Sequence, residues 1–375
     1  MAKIETILVV GGGIAGLTAA TALHRHGFRT ELVERQQTWH ALGAGFLVHA
    51  NGMRMLLALG LAASVENAGT IVCRWQFCDE QGDLLSETDL EALWGDVGCC
   101  VGIERPKLQH ALLPGVAKLR CRLGTSVMCL VQNDQHVSVG FSDGSTGDYD
   151  LVVGADGIKS TVRALTLTAA APSDLGAMNW RSIAPIRPAG LTGFQMHLGD
   201  GCTFGLVPMG AGRTYGFAYV IQPRFHDPVE GRLERLRKRF AKFGGRVQEY
   251  LSALERDDQI ICSAMEWMEL EKWRTGRVVL VGDAAHASSP MMGQGGCMAM
   301  EDACVLADEL RAAATVDDAL VSYARRRKSR VEWVQGQSME VGKMLTVPPP
   351  VRDAALRERG NQAMQARFGP LVQVP

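Results

Sequence analysis

The feature that most constrains this chain is a glycine-rich turn that follows a short apolar strand near its beginning. Residues 6–10 are mostly β-branched or leucine, as expected of a buried parallel strand. Gly11, Gly13 and Gly16 follow in the spacing G-x-G-x-x-G. Glycines at these positions allow a tight turn, a close approach of backbone amides to a pyrophosphate, and packing of the next helix on the strand. That helix, which we expect to end near His26, would face the phosphates with the positive end of its dipole.

A carboxylate closes the second strand of the same unit. Residues 30–34 predict that strand, and Glu34 ends it. At this position a carboxylate can accept hydrogen bonds from both hydroxyls of an adenosine ribose. Strand, glycines, helix, strand and acid in this order predict a dinucleotide-binding βαβ unit, which does not by itself distinguish FAD from NAD.

Two later segments repeat the pattern of a buried strand followed by a turn and an acid. Residues 150–154 predict a strand that leads to Asp156 and then to a polar helix start. Residues 276–281 predict another strand, which leads to Asp283, where open α/β sheets place ligand-binding groups. The glycine-rich residues 290–296 then open a helix expected to reach about Leu310, whose N-terminus is offered to an anionic group.

Taken together, these three motifs resemble the class A flavoprotein monooxygenases, the para-hydroxybenzoate hydroxylase-like family. The resemblance implies an α/β fold: a Rossmann-like FAD-binding domain of the GR2 type, an inserted antiparallel β-sheet domain and a C-terminal helix. It implies a discontinuous FAD-binding domain over residues 1–174 and 271–312, a substrate-binding sheet over residues 175–270, and a C-terminal helical segment over residues 313–375.

The resemblance also assigns residues to the cofactor. Glu34 would hold the adenosine ribose, and Asp283 the ribityl chain. Pro290, Gly295 and Gly296 would lie beside the isoalloxazine ring, and no side chain is assigned as a catalytic nucleophile or metal ligand. The complete set assigned to FAD or nicotinamide binding is Gly11, Gly13, Ile14, Ala15, Gly16, Glu34, Arg35, Gly45, Arg105, Gln109, Asp156, Gly157, Arg163, Gly282, Asp283, Pro290, Gly293, Gln294, Gly295 and Gly296.

The chain departs from the family pattern at Cys297, where many members have asparagine, and at Ala50, where proline is common. We interpret Cys297 as a packed helical cysteine rather than a nucleophile. The departure at Ala50 leaves open how substrate enters beside the flavin.

Residues 175–270 change to short strands separated by glycine turns, which predicts an antiparallel sheet. One face of it would cover the flavin and line the substrate pocket. For its apolar side chains, ordinary core packing is an equal alternative, and His197 and Arg213 are expected to be structural. The predicted lining residues are Phe204, Leu206, Phe217, Tyr219, Met291 and Met292.

Beyond the sheet, the sequence predicts one long helix over residues 317–344, capped by Thr315 and broken by the prolines at 348–350. The chain ends soon afterwards, so the additional C-terminal domain of some family members is expected to be absent.

The amino-acid composition limits the kinds of partner and compartment that we expect for this chain. Thirty-nine basic and 40 acidic residues give a formal charge of -1, which argues against a nucleic-acid partner. The ten cysteines are scattered, without a disulfide framework or zinc-ligand spacing, and predict reduced thiols in the cytoplasm. The apolar run over residues 7–23 carries the glycine motif, so no membrane span is expected. We expect the protein to be a monomer or homodimer.

The resemblance implies an enzyme that uses FAD, NADH or NADPH, and molecular oxygen to hydroxylate a small, electron-rich aromatic or heteroaromatic substrate through a flavin C4a-hydroperoxide. The alternatives are a flavin-dependent halogenase, a reductase, or a catalytically silent FAD-binding protein. Halogenases typically carry a W-x-W-x-I-P segment, which residues 179–185 do not match.

Overall fold

The computed structural model describes residues 4–39 and 43–375. Its strands, in chain order, are β1 (Thr6–Val10), β2 (Arg29–Glu34), β3 (Gly45–Val48), β4 (Thr70–Ile71), β5 (Arg74–Asp79), β6 (Leu84–Asp89), β7 (Val101–Glu104), β8 (Arg120–Leu123), β9 (Val127–Gln132), β10 (Val137–Phe141), β11 (Thr146–Tyr149), β12 (Leu151–Gly154), β13 (Ser173–Ala184), β14 (Phe194–Leu198), β15 (Cys202–Met209), β16 (Arg213–Ile221), β17 (Ile261–Trp267), β18 (Arg274–Thr275) and β19 (Val278–Leu280). Its α-helices are α1 (Ile14–Arg25), α2 (Ala50–Ala58), α3 (Ala62–Ala68), α4 (Leu90–Trp94), α5 (Arg105–Leu112), α6 (Thr161–Thr166), α7 (Arg232–Arg239), α8 (Gly245–Ser252), α9 (Asp283–His286), α10 (Gly295–Ala312), α11 (Val316–Met344) and α12 (Pro349–Val372).

A six-stranded sheet with the order β18-β19-β12-β1-β2-β8 carries all three sequence motifs. From β19 to β8 its strands are parallel. Ile7, Leu8 and Val9 of β1 are fully buried, since helices cover parallel sheets on both faces. The predicted α/β fold is therefore confirmed, and the first helix ends at Arg25, one residue before the predicted end.

A seven-stranded sheet with the order β17-β13-β16-β15-β14-β5-β6 forms the second layer. All its pairs are antiparallel except β14 with β5. Five of its strands come from the segment predicted to form a sheet, whereas β5 and β6 come from residues 74–89, outside that segment. Helices α7 and α8, which the sequence analysis did not predict, cover one face of the sheet with Leu236, Phe240 and Tyr250.

The C-terminal region contains two helices instead of the single one predicted. Thr315 caps α11 as expected, because its Oγ1 accepts a hydrogen bond from the Asp318 amide at 3.1 Å. Pro349, however, begins α12, since proline lacks only an N–H that the first turn of a helix leaves unpaired anyway. Helix α12 packs along β6 and brings Phe368 against His49 and Trp75.

Two small antiparallel sheets, β3-β7-β4 and β11-β10-β9, complete the fold. Within the described ranges, no helix combines the length and the apolar character needed to cross a bilayer.

Candidate active site

The glycines of the first turn have two different roles. Gly11 has a φ of +112°, and a Cβ there would lie 2.5 Å from the carbonyl oxygen of Ala155. A Cβ on Gly16 would lie 1.8 Å from the carbonyl oxygen of Gly11, so the helix can approach the strand only with glycine at this position. Gly13, by contrast, has no atom within 4 Å of a Cβ position, because it faces an open cavity. The turn is therefore packed on one side and open to a ligand on the other.

Glu34 lies at the end of β2 beside this turn. Its Oε2 accepts a hydrogen bond from the Gly12 amide at 2.6 Å, and its Oε1 accepts one from the Gln36 amide at 2.8 Å. Gln109 holds the same turn from α5 by donating from Nε2 to the carbonyl oxygen of Gly12 at 2.9 Å. Both side chains line a cavity of about 280 Å³ together with Arg35.

Asp156, in the middle motif, caps the short helix α6. It accepts hydrogen bonds from Ser160 Oγ at 2.5 Å and from the Thr161 and Val162 amides at 2.7 and 3.0 Å. Burial raises the pKa of Asp156, although these hydrogen bonds oppose the effect. Asp156 and the following Gly157 line the first cavity.

Arg163 does not reach that cavity, in contrast to the role that the family resemblance assigns to it. Its guanidinium is buried and donates to the carbonyl oxygens of Ala284 and Ile158, at 2.9 and 2.6 Å. The resulting link joins the middle motif to α9, and the role of Arg163 in cofactor binding stays a prediction.

The third motif borders a second cavity of about 470 Å³. The exposed side chain of Asp283 lines it, and a Cβ on Gly295 would lie 3.9 Å from Asp283 Oδ1. Gly293 has a φ of +63°, in the left-handed region, and a Cβ there would lie 2.9 Å from His49 Nε2. The cavity is also lined by Pro290, Met291 and Gly296, and by Ala15 and Gly45.

Three more of the assigned residues lie outside both cavity linings. Gly16 is packed as described above. The amide of Gly282 is buried and donates to Asp302 Oδ2 at 2.9 Å. The Gln294 side chain is buried and accepts a hydrogen bond from Asn51 Nδ2 at 2.9 Å. These three residues support the turn and the loop that border the recess, and their contact with the cofactor stays a prediction.

The two cavities form one elongated recess, because they share five wall residues: Gly13, Ile14, Arg105, Ala155 and Gly157. The recess runs from Glu34 to the loop at residues 290–296. Arg105 lies where the two cavities meet. Burial lowers the pKa of its guanidinium, and the nearby Asp283 carboxylate only partly opposes this effect.

Sequence reasoning missed a group of polar residues on the seven-stranded sheet. Asn179 and Arg181 of β13 and Ser263 of β17 line the larger cavity, and Arg181 donates to Ser263 Oγ at 3.2 Å. Tyr215 of β16 joins them, and burial raises its pKa to about 12 against the influence of Arg181 and Arg105. The alternation of residues 179 and 181 within one predicted strand is the signal that could have found the first two.

The six predicted substrate residues divide between the lining of the larger cavity and the surrounding core. Phe217 and Met291 line the larger cavity. Tyr219 and Met292 are buried but lie outside the lining. Phe204 and Leu206 point to the opposite face of the sheet, where Phe204 packs against Phe240 and Tyr250 at centroid distances of 5.2 and 5.6 Å. Neighbouring residues of a strand face opposite sides, so it is Val207 that β15 turns toward the cavity.

The three other side chains singled out from the sequence lie outside both cavity linings. His197 is buried in β14, and Arg213 pairs with Glu104 of β7. Cys297 is buried in α10 with a pKa raised to about 12 by burial, so its thiol stays protonated.

Comparisons with known proteins agree with this geometry. A family model described as "FAD binding domain" matches residues 4–338. Aurachin C monooxygenase/isomerase of Stigmatella aurantiaca is 32% identical over 342 residues, which cover 90% of this chain and 89% of that protein. The 2-heptyl-3-hydroxy-4(1H)-quinolone synthase of Pseudomonas aeruginosa is 31% identical over 345 residues, with coverages of 90% and 89%. A crystal structure of Klebsiella pneumoniae HpxO with FAD and uric acid matches with a TM-score of 0.89 at 26% identity, over 98% of this chain and 96% of that one.

Proposed function

This chain belongs to the FAD binding domain family, and from that premise we propose that it is an FAD-dependent monooxygenase that hydroxylates a small, electron-rich aromatic or heteroaromatic molecule. One observation carries the proposal: the recess beside the first glycine turn continues into a larger, partly aromatic cavity bordered by residues 290–296. A cofactor in the first part would thus reach a substrate in the second.

The residues present fit FAD. The open side of Gly13 and the N-terminus of α1 suit a pyrophosphate. Glu34 accepts one backbone hydrogen bond on each carboxylate oxygen and retains acceptor capacity for ribose hydroxyls. The exposed carboxylate of Asp283 would accept hydrogen bonds from the ribityl chain. The amides of Gly295 and Gly296 at the start of the 18-residue helix α10 would stabilise negative charge on the pyrimidine side of the ring.

Bound FAD would supply hydride acceptance from NADH or NADPH and the activation of molecular oxygen. The chain itself orients the substrate and excludes water. Trp75, Phe194 and Phe217 present aromatic surface to the cavity, which suits a flat ring. Arg105, which lines both cavities, and Asp283, which lines the larger one, would hold the cofactor in place.

The relatives support hydroxylation over the alternatives of halogenation, simple reduction or silent binding. One carries the name of a monooxygenase/isomerase and another that of a hydroxyquinolone synthase. The solved relative binds uric acid together with FAD. We further propose that the protein is cytoplasmic, which its ten free cysteines support. We also propose that it is a monomer or homodimer.

The source of the inserted oxygen tests this proposal. The FAD-loaded enzyme is given NADH or NADPH, an electron-rich aromatic compound and ¹⁸O-labelled oxygen gas, and the product mass is measured. The expected result is one labelled oxygen atom and one nicotinamide oxidised for each product molecule. The control uses labelled water with unlabelled oxygen gas. Product that takes its label only from water would refute the monooxygenase proposal.

A further inference from the structure

The cavity face of the seven-stranded sheet is polar on one side and apolar on the other. Strands β13 and β17 contribute the polar residues Asn179, Arg181 and Ser263. The apolar side comes from β5, β14, β15 and β16 and consists of Trp75, Phe194, Met196, Val207 and Phe217. We call this second group the apolar wall.

Strand pairing fixes the order of these side chains across the sheet. Arg181 lies opposite Phe217, which lies opposite Gly205. Gly205 in turn lies opposite Met196, and Phe194 lies opposite Trp75. Moving from β13 to β5, the lining therefore changes from polar to apolar at β16, which contributes both Tyr215 and Phe217.

The aromatic rings of the apolar wall are tightly packed. A Cβ on Gly205 would lie 2.1 Å from Phe217 Cε1, so the Phe217 ring lies directly over the glycine backbone. The Trp75 and Phe194 rings meet edge to face with centroids 4.3 Å apart, and the Phe194 and Phe217 centroids are 5.9 Å apart. These rings form a continuous apolar surface.

The two sides also adjoin different parts of the cofactor recess. The polar side adjoins Arg105, which lines both cavities, since the charge of Arg181 adds to burial in lowering the pKa of Arg105. The apolar wall adjoins the loop at residues 290–296, because Trp75 stacks on His49 at 5.8 Å and His49 faces Gly293. Burial lowers the pKa of His49 to about 3, so its ring is neutral.

Among the residues that the structure describes, the apolar wall holds no cationic side chain, and its one side-chain donor, Trp75 Nε1, is itself buried. An ionised carboxylate loses its hydration when it is buried, and it needs a charged or hydrogen-bonding partner in compensation. Arg181, the cationic residue of the sheet that lines this cavity, lies on β13 opposite Phe217.

We infer that the substrate is a neutral, flat aromatic or heteroaromatic molecule with an apolar edge or alkyl substituent, which lies against Trp75, Phe194 and Met196. This inference rests on the proposed function, since it treats the larger cavity as the substrate site. According to this inference, the apolar wall binds the substrate, whereas Arg181, Asn179 and Ser263 lie toward the cofactor.

A matched pair of probes tests the inference without turnover. The FAD-loaded enzyme is titrated, in the absence of nicotinamide, with a neutral 2-alkyl-4-quinolone and with the same compound carrying a carboxylate at the end of its alkyl chain. Binding is followed through the absorbance of the bound flavin. We expect the neutral probe to bind at least a hundredfold more tightly. Equal affinity, tighter binding of the carboxylate, or no binding of either probe would overturn the inference.

Val207→Arg tests the charge argument directly, because it places a cation in the apolar wall. It is expected to weaken binding of the neutral probe at least tenfold and to strengthen binding of the carboxylate. The control is Val131→Arg, at an exposed position of β9, which should change neither affinity. Retention of the wild-type preference in a folded Val207→Arg protein would contradict the inference.

Phe194→Leu provides a second variant that keeps the wall apolar in case the arginine prevents folding. It should reduce the affinity for the neutral probe about tenfold at unchanged FAD content, and an unchanged affinity would also contradict the inference. An enzyme that binds the neutral probe as expected but forms no labelled product would retain this inference and refute the proposed function.

Discussion

Two buried histidines stand out among the single residues. His49 and His197 are both fully buried. His49 Nδ1 lies 3.9 Å from Cys100 Sγ, whereas His49 Nε2 and both ring nitrogens of His197 have no hydrogen-bond partner in the described part of the chain. Burial lowers the pKa of His49 to about 3, and burial followed by the charge of Arg246 lowers that of His197 to about 4. Both rings are therefore neutral at neutral pH.

The pKa of His197 predicts a loss of stability in weak acid. Between pH 6.5 and 4 the unfolded chain binds a proton at this histidine and the folded chain does not, so the free energy of unfolding falls as the pH falls. The fall levels off below the folded pKa. We expect His197→Leu to reduce the difference in unfolding free energy between pH 7.5 and pH 5 by about 2 kcal/mol.

Urea unfolding at the two pH values measures this difference. The same substitution at the exposed His226 controls for the loss of a histidine as such. A His197→Leu protein with the pH dependence of wild type would show that His197 does not carry the effect.

Asp283 provides the second test at the residue scale. Its carboxylate is exposed within the cavity and would bind the ribityl hydroxyls of FAD. A charge-assisted hydrogen bond contributes roughly 1.5–3 kcal/mol, so Asp283→Ala should weaken FAD binding on the order of tenfold to a hundredfold. Titration of the apoprotein with FAD measures this, with Asp258→Ala on the surface as the control. Identical FAD affinity in Asp283→Ala and wild type would reject the assignment.

At the scale of elements, a buried ion network joins α10 to α11 behind the loop at residues 290–296. Arg327 Nη1 lies 2.6 Å from Glu301 Oε2, and Arg327 Nε lies 2.8 Å from Asp302 Oδ1. Asn51 Nδ2 donates to Glu301 Oε1 and to Gln294 Oε1, at 2.9 Å in both cases. Burial alone would raise the pKa of Glu301, but Arg327 and the neighbouring Arg330 hold it below its usual range. Through Gln294 the network anchors the loop.

Removing one member of this network should therefore lower the free energy of unfolding far more than removing an exposed arginine of the same helix. Arg327→Met removes one partner from each of two buried carboxylates, and breaking a buried pair in this way typically costs about 3–5 kcal/mol. We expect urea unfolding to show a loss of about that size. Arg325→Met, at an exposed position of the same helix, should stay within about 0.5 kcal/mol of wild type. A loss below about 1 kcal/mol in Arg327→Met would mean that the network contributes little to stability.

At the scale of the whole molecule, the recess depends on both large sheets. The glycine turn and Asp283 belong to the six-stranded layer, while Tyr215 and Phe217 belong to the seven-stranded one. One hydrophobic cluster contains residues of both layers, since Ile7, Trp75 and Val279 belong to it. Binding of FAD should therefore stabilise both layers together.

Thermal and urea unfolding with and without FAD check this expectation. At a free concentration one hundred times its Kd, FAD should raise the free energy of unfolding by about 2.7 kcal/mol. Tryptophan fluorescence and far-ultraviolet circular dichroism should report one coincident transition. Riboflavin at the same concentration is the control, because it lacks the pyrophosphate and adenosine. Two separate transitions, only one of which responds to FAD, would show that the layers unfold independently.

The sequence by itself determined the α/β fold and the positions of the three motifs. Each motif is a short segment in which a buried strand, a turn and an acid follow one another, so local sterics and burial are enough to specify it. The steric need for glycine at Gly11 and Gly16 is of this kind.

Only the tertiary structure decided which side chains of these segments face the recess. Phe204 and Val207 belong to one predicted strand, but the pairing of β15 with its neighbours turns Val207 inward and Phe204 outward. Arg163 and Gln294 lie within recognisable motifs, yet their side chains lie outside the cavity lining. Each is hydrogen-bonded to a group more than a hundred residues away in the chain, the Ala284 carbonyl oxygen and the Asn51 amide. Register and long-range hydrogen bonds arise between distant parts of the chain, so no local pattern contains them.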